Sequence, residues 1–377
     1  MTPYLKLQLV YVLITALVVF ALDFAVGRAP RLARRPCLRV LVVAALIAVG
    51  VVAWIVAVKY VDDTHSTYQF IAIAFGFYAG VLFVPLLGLV RAKGERWFAA
   101  ACVAALALGQ YALWIEPNRL VESRYALTFS QWPADAPPLR LVHISDLQTV
   151  GECAREREAA SRIVALEPDL IVITGDYIAG PFSDPTPAID AARKFLIALG
   201  KPRLGIVCVA GHSESEALRA RVFEGLDVRY LRDEELEFEL GNGRRLRIFG
   251  ARTQGLDVSK LARRAEPGLV TLVATHEPDV SWDLDGKHVD LHLAGHTHGG
   301  QIALPWFGPP LMLSTVPRRF ARGLHTFGDH LIHVNPGIGM EGDNAPRMRI
   351  NCPPEIDLLL LGGGGVVRAS EPVPERS

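Results

Sequence analysis

Cysteine is scarce and poorly placed for its usual structural roles. Of the five cysteines in the 377-residue chain, Cys37 and Cys102 fall in the apolar first third, while Cys153, Cys208 and Cys352 are scattered without a CxxC pair. That excludes a disulfide framework and a thiolate zinc site. Net charge is missing too, since 39 Lys and Arg balance 39 Asp and Glu, so there is no global electrostatic basis for binding nucleic acid, which is not expected as a partner. Repeats of solenoid type are also lacking. A further absence is local: residues 40–58, 70–90 and 97–115 contain no Asp, Glu, Lys or Arg at all.

Those uncharged stretches, with 5–26, are each about long enough to cross a hydrocarbon core of ~30 Å, in a chain that is 51% hydrophobic. The expectation is a four-helix transmembrane bundle over residues 1–116. Arg28, Arg31, Arg34, Arg35 and Arg39 lie between the first two spans, and Arg91, Lys93 and Arg96 between the last two; basic loops stay cytoplasmic. This places everything after Ile115 outside. The expected protein is therefore a multi-pass component of the cytoplasmic (inner) membrane with an extracytoplasmic domain. Almost no charge lines the spans, which argues against a transporter path. Residues 117–138, with Pro117, Pro133, Pro137 and Pro138, read as a linker or entry strand. Residues 362–377, with a glycine run and two prolines, read as a flexible tail.

From Leu139 onward, short β-rich runs recur and end in residues able to bind metal. The run 139–145 ends at Asp146, 170–174 at Gly175 and Asp176, 206–210 at Gly211 and His212, 270–275 at His276, and 289–294 at Gly295, His296 and His298. Between the first two, 153–166 reads as a helix stopped before Pro168. Strand, helix, strand implies a sheet whose strand ends converge on one edge. A single Asp or His after a strand is an ordinary turn or core residue. Five such endings supply the mixed oxygen and nitrogen donors of a hard or borderline divalent cation.

The blocks are Ser145-Asp146-Leu147-Gln148, Thr174-Gly175-Asp176, Ala210-Gly211-His212-Ser213-Glu214, Thr275-His276-Glu277-Pro278 and Gly295-His296-Thr297-His298-Gly299-Gly300-Gln301. In this order they resemble the signature of calcineurin-like metallophosphoesterases, and the GHTHGGQ ending resembles their membrane-anchored bacterial branch. The resemblance covers residues 139–361 and implies a four-layer α/β/β/α sandwich. It further implies two divalent metals (manganese, zinc, iron or magnesium) about 3.5–4 Å apart. Asp176 would bridge them, Asp146, Gln148 and His298 would complete the first, and His276 and His296 the second. The implied activity is hydrolysis of a phosphomonoester, phosphodiester or pyrophosphate, with a phospholipid or lipid-linked phosphate among the candidate substrates and the bilayer as a partner.

Two positions depart from the family pattern. Gln148 stands where the family has His, and its amide oxygen is a weaker donor that favours harder metals. Gly211-His212-Ser213-Glu214 stands where the family has Gly-Asn-His and an acid. In a gapless match His212 replaces the Asn ligand and Ser213 the His that assists the leaving group; with one residue deleted, His212 is itself that catalytic His. The gapless match keeps Glu214 in the acidic position. A rival reading makes the domain a metal-binding sensory or scaffold protein without turnover.

Weaker signals remain. His143 and His292 lie inside predicted strands and read as packed residues. Residues 302–313, with Trp306, Phe307 and Met312, read either as a buried loop or as an apolar lip meeting lipid. Arg318, Arg319 and Arg322, like Arg347 and Arg349, suit an anion site or a solvated face, and residues 231–247 read as a surface hairpin turning at Gly241-Asn242-Gly243.

Overall fold

Alternation along the strands decides the architecture. In β2 (Leu139–Ile144), Leu141 faces one way and joins a core with Leu246, Val270 and Leu291, while Val142 and Ile144 face the other and join Ile163, Ala192 and Phe195. One face of this strand therefore packs on a second sheet and the other on helices. The computed structural model describes residues 107–179, 184–251, 261, 266–312, 314–341 and 347–364.

Besides β2, the first sheet contains β1 (Val121–Phe129), β3 (Leu170–Ile173), β4 (Ile206–Cys208), β5 (Arg229–Tyr230) and β12 (Glu355–Gly363). The second contains β6 (Glu234–Gly241), β7 (Arg244–Gly250), β8 (Leu269–Ala274), β9 (Leu291–Ala294), β10 (Gly323–Phe327) and β11 (His330–Val334). Their spatial orders are β1-β12-β2-β3-β4-β5 and β10-β11-β9-β8-β7-β6. The helices α1 (Ala154–Ala165), α2 (Thr186–Ala198) and α3 (Glu216–Phe223) supply apolar side chains to the outer core of the first sheet. The outer layer of the second sheet is thin among the described residues: 3-10 turns at Pro278–Val280 and Arg318–Ala321 and the four-residue α4 (Ser281–Leu284).

Strands β2, β3 and β4 run parallel, as do β7, β8 and β9. Their carboxyl ends therefore emerge together in each sheet, where ligands of open α/β sheets gather. Both sheets belong to one compact unit, Ile115–Glu341 with Met348–Ser377.

Several expectations need correction. Among the described residues no helix is long and apolar enough to cross a membrane, so the four-helix bundle, the multi-pass membrane placement and the extracytoplasmic orientation are withdrawn. The stretches 5–26, 40–58 and 70–90 lie outside the described residues. Of 97–115 only 107–115 is described, and there the α-helix gives way to a π-helix at Tyr111–Ile115 and a 3-10 turn at Glu116–Asn118. A span needs roughly 20 helical residues, and the described part of 97–115 is too short to supply one.

Residues 117–138, read as a linker or entry strand, contain the nine-residue β1, which pairs in parallel with β12. The tail boundary moves as well, because β12 continues through Gly363. The expected surface hairpin is β6 and β7, with its turn at Gly241–Gly243 in the left-handed region, but only β6 lies at the edge. Strand β7 is buried between β6 and β8.

Candidate metal centre

Every donor follows a strand end by two to four residues: Asp146 after β2, Asp176 after β3, His212 after β4, His276 after β8, and His296 and His298 after β9. The backbone turns sharply there. Asp146 (φ 50°), Gln148 (36°), Asp176 (55°), His296 (69°) and His298 (49°) all occupy the left-handed region, which costs a non-glycine residue about 1 kcal/mol or more. Gly211 permits one close approach, since a Cβ there would collide with the Asp176 carboxylate and amide.

Asp176 is anchored on one side and available on the other. Its Oδ1 accepts hydrogen bonds from the His212 amide (2.5 Å) and the Ser213 amide (2.9 Å). Its Oδ2 lies 3.1 Å from Gln148 Nε2 and 3.3 Å from His276 Nε2. Asp146 repeats the pattern: Oδ2 accepts from the His296 amide at 3.0 Å, and Oδ1 stands 3.3 Å from His298 Nε2 and 3.9 Å from His276 Nε2. His276 Nδ1 donates to the Thr174 carbonyl at 2.7 Å, which fixes the tautomer and aims Nε2 inward. The rings of His212, His276 and His296 form a triangle with centroid separations of 5.1, 5.2 and 5.0 Å.

Burial and charge polarise the cluster. Burial opposes ionisation of Asp176, yet the neighbouring His276 holds its carboxyl well below the usual range. Asp146 is pushed upward by burial. The two carboxylates diverge because they share one cationic neighbour and repel each other. Burial would lower His276, but Asp176 and Asp146 outweigh it and push the imidazole up to about 10. Burial takes His298 down to about 3, leaving it neutral with lone pairs to give.

The donor set fits divalent cations. Asp146 Oδ1, His276 Nε2 and His298 Nδ1 are buried with no hydrogen-bond partner, an arrangement that is costly unless a ligand completes it. Two triads have ligand atoms within 4.8 Å of one another: Asp146 with Asp176 and His276, and His212 with His276 and His296. They share His276. Of the residues singled out in the sequence, Asp146, Gln148, Asp176, His212, His276, His296 and His298 all converge here.

Other residues fall elsewhere. Ser213 Oγ donates to the Ile178 carbonyl (2.7 Å), and Glu214 is buried against the Tyr177 amide and Arg219, where burial pushes its carboxyl up to about 7. His143 and His292 are buried in strands and bond to Thr174 and Thr275. Glu277 accepts from His212 Nε2 at 2.6 Å. Glu341 accepts from Gln148 Nε2 at 3.1 Å, and no pattern around it in the sequence marks it.

Arg349 was also misjudged as a surface or anion-binding residue. It is fully buried, and its guanidinium donates to the carbonyls of Pro336, Gly337, Gly339 and Cys352 at 2.6–3.2 Å. The loop it ties down holds the first aspartate, for Ile338 and Gly339 donate to the carbonyls of Ser145 and Asp146. Arg349→Met should orphan these carbonyls and destabilise the domain by about 3 kcal/mol or more, read as a lowered midpoint in urea unfolding.

Comparison with known proteins agrees with this geometry. Residues 139–300 match the model of the calcineurin-like phosphoesterase family. The metallophosphoesterase YkuE of Bacillus subtilis is 27% identical over 281 residues, covering 70% of this chain and 94% of its own. The phosphodiesterase YaeI of Escherichia coli is 26% identical, covering 71% of this chain and 98% of its own. The UDP-2,3-diacylglucosamine pyrophosphatase LpxG of Chlamydia trachomatis is 25% identical, covering 65% and 90%. The convergent aspartates and histidines and these relatives together identify residues 139–300 as a calcineurin-like metallophosphoesterase domain, consistent with a hydrolase acting on phosphoester bonds.

Proposed function

We propose that the domain hydrolyses a phosphodiester or pyrophosphate bond in a lipid-linked substrate, using two divalent cations held by the converged donors. The carrying observation is the pair of overlapping triads around His276. Asp146, Asp176 through Oδ2, Gln148 and His298 would hold one cation, and His212, His276 and His296 the other. When bound, the metals supply an activated water and polarise the phosphoryl oxygens. The protein's own contribution is placement. The amides of His212, Ser213 and His296 lock the two carboxylates, and Thr174 sets the His276 tautomer.

His212 is engaged by Glu277 through Nε2, which leaves Nδ1 for a cation in a carboxylate–histidine–metal arrangement. This favours His212 as the replacement for the missing Asn ligand. Ser213 spends its hydroxyl hydrogen on a backbone carbonyl, so it does not protonate a leaving group. Two relatives named for a diester and for a diacyl pyrophosphate substrate support the substrate class.

The lack of a leaving-group acid gives a direct test. General acid assistance is worth roughly 100-fold to 10,000-fold, so aryl diesters should be turned over at least about 100-fold faster than alkyl diesters of similar size. Equal rates on both would mean that His212 or another group still donates a proton.

A further inference from the structure

Beyond the metal centre, the strongest unexplained feature is an exposed apolar tip. After the last ligand block, Leu304 and Gly308 close a tight antiparallel turn, with reciprocal backbone bonds of 2.9 Å. The turn presents Trp306 fully to solvent, with a relative exposure of 105%, alongside Phe307 (56%), Leu304 (46%) and Leu311 (68%). Trp306 also sits at φ 63°, an uncommon conformation for a bulky residue. A soluble surface does not ordinarily gather four large apolar side chains around one turn.

The stretch of chain that forms the tip carries charges of one sign. From His298 to Gly328 the chain contains Arg318, Arg319 and Arg322 and no Asp or Glu. The Arg318 guanidinium lies 4.6 Å from the Phe307 ring centroid, and Arg319 stacks on Phe320 at 4.7 Å. Aromatic side chains beneath guanidinium groups match an interface whose interior is apolar and whose surface is anionic. The tip is also fixed to the metal centre. Pro309 and Leu311 pack over Gly300, in the block that carries His298, and Ser314 and Thr315 bond to Asp279, two residues past Glu277.

We infer that the 304–311 turn docks on an anionic phospholipid surface, with Trp306 and its apolar neighbours inserted among the acyl chains and Arg318 and Arg319 on the headgroup phosphates. This contact needs no membrane-crossing helix. It would hold the metal centre beside the headgroup layer, where a lipid-borne phosphoester presents its phosphorus.

The test reads the tip directly. Full-length protein is mixed with vesicles of phosphatidylcholine containing phosphatidylglycerol, with or without brominated acyl chains, and the emission of Trp306→Phe is subtracted from that of wild type. The difference spectrum should be quenched by bromine and blue-shifted. Quenching should fall in neutral vesicles, in high salt and in an Arg318→Gln/Arg319→Gln variant. Turnover of a soluble aryl phosphodiester should be unchanged in these variants, which verifies their folding and keeps docking separate from catalysis. An unquenched difference spectrum would overturn the inference. So would a blue shift without bromine quenching, since that places Trp306 against protein, or quenching that ignores lipid charge.

Discussion

Replacing Asp176 with Asn should strip the domain of bound metal and lower turnover of an aryl phosphodiester by at least about 1,000-fold, from the loss of roughly 4 kcal/mol of metal-derived transition-state stabilisation. The substitution is nearly isosteric, and the anchored oxygen can still accept from the His212 and Ser213 amides. What changes is the other atom. An amide nitrogen there would face Gln148 Nε2 and a cation instead of accepting from them. Elemental analysis of wild type and variant, with turnover measured on the same samples, checks both halves. Two metals per wild-type chain and little metal in a folded, inactive variant is the expected result. A variant that keeps both its metal and its rate would remove Asp176 from the centre and, with it, the reading of the two triads.

Mild acid should destabilise the domain. His292 and His333 are buried neutral, each pushed down to about 3 by burial, and His143 is held well below its ordinary value. In the unfolded chain each binds a proton near pH 6.5. Below that pH the unfolded state holds more protons, so stability that is complete above about 6.5 is lost as pH falls towards 3, at about 1.4 kcal/mol per unit for each histidine. Asp357, 3.4 Å from His333, works in the opposite direction because burial raises its carboxyl. Glu214, which burial raises to about 7, also opposes the trend, while His298, lowered to about 3, adds to it, so the net loss is about 1–3 kcal/mol per unit between about pH 6.5 and pH 4. Urea unfolding at pH 7 and pH 5 measures this. His292 bridges Thr275 and Ser281 at 2.7 Å outside the donor cluster, so His292→Gln should flatten the slope by one histidine's share. A pH-independent midpoint would show that these rings are not the acid-sensitive element.

Much of this site was legible because its chemistry sits at predictable places. Apolar runs that end in Asp or His became β2, β3, β4, β8 and β9, with donors just past their ends. Alternation and turn residues are local properties, and local properties survive in the sequence. Glu341 and Arg349 were not legible, because their roles come from partners in distant segments: Gln148 for the first and the 336–339 carbonyls for the second. The hydrophobic count misled in another way. Uncharged length satisfied the criterion for a membrane span, while the described end at Tyr111–Ile115 departs from regular α-helical geometry. Strand β1 was half hidden among prolines because its partner is the last strand of the sheet.

That last pairing governs the order in which the domain can be completed. β12 lies between β1 and β2, parallel to the first and antiparallel to the second. During synthesis the first two strands therefore cannot settle against each other, and their shared place stays open until more than two hundred further residues have been made, as the separation of Ser123 from its partner Glu355 (232 residues) shows. Contacts of such long separation form slowly. Completion of the sheet that carries Asp146 and Asp176 thus waits for β12, and a chain interrupted anywhere before residue 355 would expose the edges of β1 and β2 to aggregation or to a chaperone.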